Sequence, residues 1–410
     1  MRKLLALATF AFGAASPALA QEAAPADEGW TFDARLTLVG SAIEDENALT
    51  PAGDSFLASG SILVERSDVM DNGMTLAWRG EARIERDAAS RPAFAGVLGN
   101  CPAVNGFCPR VTDGLSFFSP VSPAVGIAAS GPLPDEDIFA TLESASLAVS
   151  GAWGEGVFGF DSGAASRLDA RAPTVLQRVS AYSPGLDPTG IVVTRARNDV
   201  TASSAKVTYM TPRWVGFRLG ASYTPEANMR SADFDPDFST TGVANAELEN
   251  VWEGAASFAR QFADQNVRLR AALTYTTATS GAGLTGFGDY EALGAGLELE
   301  SGKWSTGLRW LSSNNAQDSG NGDYQAWEAG IVRSSGLWRV GVEAGWAEDQ
   351  LSTVEGMSWL IGASRKIGDH AELGVAWTSG DADIPVLQGI GLGRTNAGND
   401  GLVLELTVRN

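Results

Sequence analysis

From Trp30 to the C-terminus, apolar and polar residues alternate over stretches of about ten, the pattern of a strand with one face in lipid and the other in water. Residues 73–86 make the case: Met74, Leu76, Trp78, Ala82 and Ile84 share one face, and Thr75, Arg79, Glu81, Arg83 and Glu85 the other. The same parity groups Trp304 with Leu308 and Trp310, Trp338 with Val340, Val342 and Trp346, Leu373 with Val375 and Trp377, and Leu402 with Leu404, Leu406 and Val408. Facing the other way are Arg309, Arg339, Glu343, Glu372, Glu405 and Arg409. A soluble β-sandwich alternates too, so the period alone does not choose between them.

The connections do. The pattern predicts sixteen strands, at 31–40, 55–66, 73–86, 138–150, 155–162, 203–211, 216–224, 251–262, 266–277, 290–300, 304–313, 324–334, 338–348, 357–366, 370–378 and 401–409. Links such as Ala263-Asp264-Gln265, Ser301-Gly302-Lys303, Ser335-Gly336-Leu337 and Ile367-Gly368-Asp369 are short, and they alternate with long ones at 87–137, 163–202, 225–250 and 379–400. Short turns at one end and long loops at the other are the arrangement of an outer-membrane barrel, with both chain ends on the periplasmic, short-turn side. Aromatics follow the same map. Trp153, Trp214, Phe262, Trp304 and Trp338 fall beside short turns, while Tyr223, Tyr275, Tyr290, Trp310, Tyr324, Trp346, Trp359 and Trp377 fall near the long loops. Two such girdles are what amphipathic rings form at the two membrane interfaces.

Composition narrows the class further. After the N-terminal segment no run of 18 apolar residues occurs, which rules out helical spanning and leaves a barrel as the membrane-crossing solution. With 29 Lys+Arg against 49 Asp+Glu the net charge is −20, so the chain has no positive footprint for nucleic acid. Arg2 and Lys3 precede an apolar run that ends at Ala18-Leu19-Ala20, the form of a cleavable secretory signal. The expected organisation is a signal peptide at 1–20, a short tail at 21–29 and one all-β domain at 30–410, exported to the outer membrane of a Gram-negative bacterium. Under the oxidising conditions of export, Cys101 and Cys108, seven positions apart in a Gly/Pro-rich stretch, are expected to form a local disulfide.

A barrel of this strand number leaves an aqueous channel. Arg35, Arg79, Arg83, Arg218, Arg268, Arg270, Arg309 and Arg339 occupy inward positions of the wall, joined by Lys206, Asp33, Glu81, Glu85, Glu298, Glu343 and Glu405. Charges within a membrane span persist where they face water or a partner, so they point to a wet lumen. The segment 163–202 is long, lacks a strand pattern and carries Arg167, Asp169, Arg171, Arg178, Asp187, Arg195, Arg197 and Asp199. Near Pro173, the run Val175, Leu176 and Val179 could form a turn or two of helix. Folded into the lumen, such a segment would narrow it and set the field that selects solutes; left outside, it would be an ordinary solvated loop.

Two stretches carry a family resemblance. Residues 142–167 hold a Leu-Glu-Ser strand, a Gly-Ala-Trp-Gly turn and Val157-Phe158-Gly159-Phe160-Asp161 leading into Ala164-Ala165, and residues 206–225 run from Lys206-Val207-Thr208-Tyr209 through Thr211-Pro212-Arg213-Trp214 to Tyr223-Thr224-Pro225. Both resemble the Gram-negative general porins, particularly those of alphaproteobacterial type. The resemblance implies a sixteen-stranded homotrimer whose third loop, here 163–202, folds inward as the pore eyelet. It implies passive diffusion of small hydrophilic solutes and ions, without a cofactor, in outer-membrane lipid and lipopolysaccharide.

Other functions leave weaker traces. The sole histidine, His370, falls beside a short turn and has no Ser and acid converging on it, as a hydrolase would need. Asp233, Asp235 and Asp237, or Asp381 and Asp383, offer carboxylates that could take Ca²⁺, but without the ordered spacing of a calcium loop. The loop 87–137, with Leu115-Ser116-Phe117-Phe118-Ser119-Pro120, leaves room for a surface-binding barrel or a latch on a neighbouring subunit. A solute-selective channel of the same architecture is the alternative reading.

Overall fold

A computed structural model describes residues 29–45, 55–86, 138–183, 185–228, 247–280, 289–314, 323–350, 354–388 and 391–410. Sixteen strands run in order: β1 (Gly29–Asp45), β2 (Phe56–Val69), β3 (Thr75–Arg86), β4 (Ile138–Gly151), β5 (Gly154–Asp161), β6 (Ser204–Met210), β7 (Phe217–Asn228), β8 (Glu247–Phe262), β9 (Val267–Ser280), β10 (Tyr290–Ser301), β11 (Trp304–Ser313), β12 (Tyr324–Ser335), β13 (Trp338–Asp349), β14 (Val354–Ile367), β15 (Ala371–Gln388) and β16 (Gly391–Arg409). Each pairs antiparallel with its sequence neighbour, and β1 pairs with β16 to close the barrel, so no sheet edge is left to expose backbone groups in lipid.

Alternation sorts the side chains as a closed sheet requires. On β12, Tyr324, Ala326, Glu328 and Val332 are buried inside, whereas Trp327 and Ile331 are 42% and 45% exposed on the outer surface. On β16, Val403, Glu405 and Thr407 point inward while Leu402, Leu404 and Val408 point out. The tight turns obey local sterics: Gly302, Gly336 and Gly368 sit at φ of 60°, 61° and 66°, a region that costs little without a Cβ.

Three expectations are corrected. β15 and β16 continue past the membrane-patterned segments to pair as far as Gln388 with Gly391, so most of 379–400 is hairpin and not loop. Asp381, Asp383, Pro385 and the glycines at 389, 391, 393 and 398 interrupt the apolar period there, which is why the pattern did not reveal these strand ends. Tyr290 and Tyr324, expected in the outer girdle, are fully buried inside. Finally, Val175 and Leu176 lie in a bend and Val179 in irregular backbone, and the helix of this segment is the single turn α1 (Ala164–Arg167). Its first backbone N–H donates to Ser222 Oγ on β7 at 2.6 Å. The leader, Cys101, Cys108, Asp233, Asp235, Asp237 and the 115–120 stretch lie outside the described residues.

The apolar core is inside the barrel, between the 162–203 segment and the wall. Ile191, Val193, Ala196 and Val200 pack with Leu248, Val251, Leu311 and Val354. Val175, Leu176, Val179 and Leu186 pack with Leu360, Ala376 and Val403.

Candidate functional site: the narrowed lumen

The segment between β5 and β6 enters the lumen and is strapped to the inner wall by carboxylates that project from otherwise small-residue strand faces. Glu343 on β13 accepts from the backbone N–H of Val175 at 2.6 Å and of Ala181 at 3.2 Å. Glu405 on β16 accepts three, from Gln177, Arg178 and Val179, at 2.6, 3.0 and 2.9 Å. Glu328 on β12 takes the N–H of Ala196 at 2.9 Å, and Glu253 on β8 takes the Thr201 hydroxyl at 2.7 Å. Arg309 on β11 gathers the other side, donating to the Ala170 carbonyl at 3.2 Å and pairing with Asp169 and Glu328, each at 3.1 Å. Tyr324 accepts from the N–H of Arg195 and donates to its carbonyl, which explains its inward position.

Backbone can approach this wall because the wall recedes. A Cβ at Gly296 would overlap Ala170, one at Gly307 would press on Ala172 and Pro173, and one at Gly330 would overlap the Pro173 carbonyl. Gly374 makes the same room for Leu176. In register, Gly296 neighbours Arg309 and Arg309 neighbours Glu328, so receding and anchoring positions interleave on adjacent strands.

Of the eight charged residues expected in this segment, the three aspartates and Arg195 are buried and the other four arginines are not. Asp169 is 9% exposed and paired to Arg309. Asp187 is 2% exposed and turned back on the backbone of Thr189 and Val192. Asp199 is 6% exposed and held by Arg195 at 2.7 Å, a pair buried within the strap. The arginines face water more: Arg171 is exposed, and Arg167, Arg178 and Arg197 are partly so. Arg167 pairs with Asp161 at 2.5 Å and Arg178 with Glu85 at 2.9 Å. Arg171 makes no ion pair or hydrogen bond with a described residue. Its guanidinium is pulled down to about 10 by Arg197 first, then by burial and by Arg309. Burial raises the Asp169 carboxyl, against the opposing pull of Arg309.

Opposite Arg178 stands the wall of β1 to β4. Arg35, Thr37, Ser59, Ser61, Glu81, Arg83 and Glu143 face Arg178 of the strap across a polar cavity of about 120 Å³. A β-bulge between Glu81 and Ala82 turns two consecutive β4 residues inward, so that Glu143 reaches Arg83 at 3.2 Å and Ser144 accepts from Arg79 at 3.3 Å. Arg79 also pairs with Glu65 and Glu81. The remaining wall arginines are inward as expected, with Arg218 on Glu155, Arg270 on Glu298, Arg268 at 3.8 Å from Glu300, and Arg339 bound to the Thr174 carbonyl. Glu253 and Glu328 were not singled out in the sequence. Their only signal there is a lone acid among small residues on an inward face.

His370 is exposed on the β14–β15 turn, and among the described residues no group of His, Cys, Asp and Glu is placed to hold a metal ion. Among curated protein sequences none matches this chain. The fold is that of solved outer-membrane barrels: an anion-selective porin from Comamonas acidovorans (13% identity, TM-score 0.51, covering 93% of this chain and 99% of that one) and OmpF of Salmonella typhi in complex with daunomycin (12%, 0.51, 94% and 99%). OmpT of Vibrio cholerae is similar at 11% identity and TM-score 0.50, over 93% of this chain and 97% of that one. The family described as Gram-negative porin matches residues 4–384, nearly the whole length. A closed sixteen-strand wall, a charged passage and this match together make the chain a member of the Gram-negative porin family, an outer-membrane channel for passive diffusion.

Proposed function

We propose that small hydrophilic solutes cross between the strap and the β1–β4 wall, and that this narrow zone favours anions. One observation carries the reading: all three aspartates of the strap are buried, Asp169 against the wall arginine Arg309 and Asp187 and Asp199 in bonds within the strap, while its more exposed charges are arginines. Across the passage Glu65, Glu81, Glu85 and Glu143 are each paired to an arginine, and Arg35 has no described partner. The surplus field is therefore positive, although the chain as a whole carries −20. The proposal includes a homotrimer of alphaproteobacterial type, delivered by the 1–20 leader, with lipopolysaccharide around the loop end and the Cys101–Cys108 bridge in the 87–137 loop.

Planar-bilayer recording under a potassium chloride gradient tests it. Channel steps with a zero-current potential on the chloride side are expected. A cation-side potential would overturn the anion preference, and absence of steps would overturn the pore. Saturating block by one carboxylated or phosphorylated solute would move the reading to a solute-selective channel.

A further inference from the structure

We infer that the outer surface at the short-turn end carries arginine and aromatic clamps that bind the phosphate of anionic glycerophospholipids. Arg365 lies over the Trp338 ring at 5.3 Å, Arg333 over Trp304 at 5.5 Å, and Arg260 over Phe262 at 5.4 Å. The first two are cross-strand pairs in register, Trp338 with Arg365 and Trp304 with Arg333. On the far side each arginine meets an aliphatic partner: Leu373 for Arg365, Val340 for Arg333, Leu269 for Arg260.

These cations thus stand in a lipid-facing band with apolar neighbours. Among the described residues none accepts a hydrogen bond or ion pair from the three guanidinium groups. All three lie within a few residues of short turns, and in a barrel of this kind those turns are at the periplasmic interface, where the headgroups of the inner leaflet begin. A guanidinium held flat on a ring still presents its N–H edge, and that edge matches two phosphate oxygens. Arg333 and Arg365 stand two strands apart, roughly 10 Å, which is about the width of one lipid. Each clamp accordingly takes its own molecule. A fourth pair supplies contrast: Arg66 lies over Trp30 at 5.7 Å but is already bonded to Asp68 at 3.0 Å, so its charge is spoken for.

The inference rests on the chain spanning a bilayer, not on what its pore selects. It is tested by native mass spectrometry of the full protein, purified in detergent and offered phosphatidylglycerol and phosphatidylcholine in equal amounts. The wild type is expected to retain phosphatidylglycerol preferentially, and each of Arg260→Gln, Arg333→Gln and Arg365→Gln to lower that preference roughly fivefold, the effect of one basic residue at an anionic membrane surface. Arg66→Gln should leave it nearly unchanged. No preference in the wild type, or a preference that survives the triple variant, overturns the proposal. So does displacement of the lipid by inorganic phosphate alone, which would mark a site for a free anion. If the triple variant does not insert, the three single variants carry the same comparison. Channel steps recorded in parallel separate the two readings, because lost lipid preference with intact steps is the expected outcome, and intact preference without steps would sink only the pore.

Discussion

The inner wall has two halves built from the same alternating strands, and they do opposite things with their inward residues. From β1 to β4 the inward Arg35, Thr37, Ser59, Ser61, Glu81 and Arg83 line the polar cavity opposite Arg178. From β8 to β16 the inward glycines, alanines and aliphatic residues, with Arg309 and carboxylates such as Glu343 and Glu405 set among them, receive the 162–203 strap, which packs there as a protein core would. Inward therefore does not mean solvated. A glutamate among glycines on an inner face is an anchor for backbone N–H groups, whereas a glutamate among arginines and serines belongs to the passage.

Breaking an anchor should have the largest effect. Glu405→Ala strips the acceptor from three backbone N–H groups, one buried and two partly buried, and with charged hydrogen bonds contributing roughly 1.5–3 kcal/mol each the loss should exceed about 3 kcal/mol. Single-channel conductance should rise as 175–179 leaves the wall, and the heat-induced shift in gel mobility should move to lower temperature; unchanged values of both would mean Glu405 does not hold the strap. Filling the recess comes next. Gly330→Val forces its side chain against Pro173, and overpacking of this kind costs about 1–3 kcal/mol, with a wider and less selective pore as the readout. The same exchange at Gly80 on β3, where an added Cβ meets nothing within 4 Å, should leave conductance alone.

Charge in the passage should alter selectivity more than stability. Arg171→Glu is expected to shift the zero-current potential toward cations by reversing a water-facing charge, with little change in unfolding, because Arg171 holds no ion pair among the described residues. The smallest effect is on pH dependence. Since the neighbouring arginines hold Arg171 down to about 10, it is charged at neutral pH, and raising the pH through that value removes a positive charge. Anion preference should decline there in the wild type, and Arg171→Gln should flatten that part of the profile.

Much of the barrel could be read before any coordinates. The parity of Trp304, Leu308 and Trp310 against Arg309, and the alternation of short and long links, depend on two local facts, a side-chain period of two and a membrane that wets one end differently from the other. Strand existence and direction follow from these. The extension of β15 and β16 does not, because Pro385 and the glycines of 389–398 break the alternation that would mark a strand. The inward turn of Tyr290 and Tyr324 was present in their parity but masked by the expectation that tyrosine belongs at an interface.

The charged residues of the constriction were found by type and position, yet their roles were not. The sequence by itself determined the strand count, the inward face of the most clearly alternating strands, the existence of a long third connection and the arginines available to it, since all of these arise from neighbours along the chain. Only the tertiary structure decided that Asp169, Asp187 and Asp199 turn inward while Arg171 meets water, and that Glu343 and Glu405 serve the strap and not the solute. The anchoring depends on groups 168 positions apart meeting inside the barrel, as Val175 and Glu343 do, and no local period encodes which wall a carboxylate or a strap residue will find packed against it.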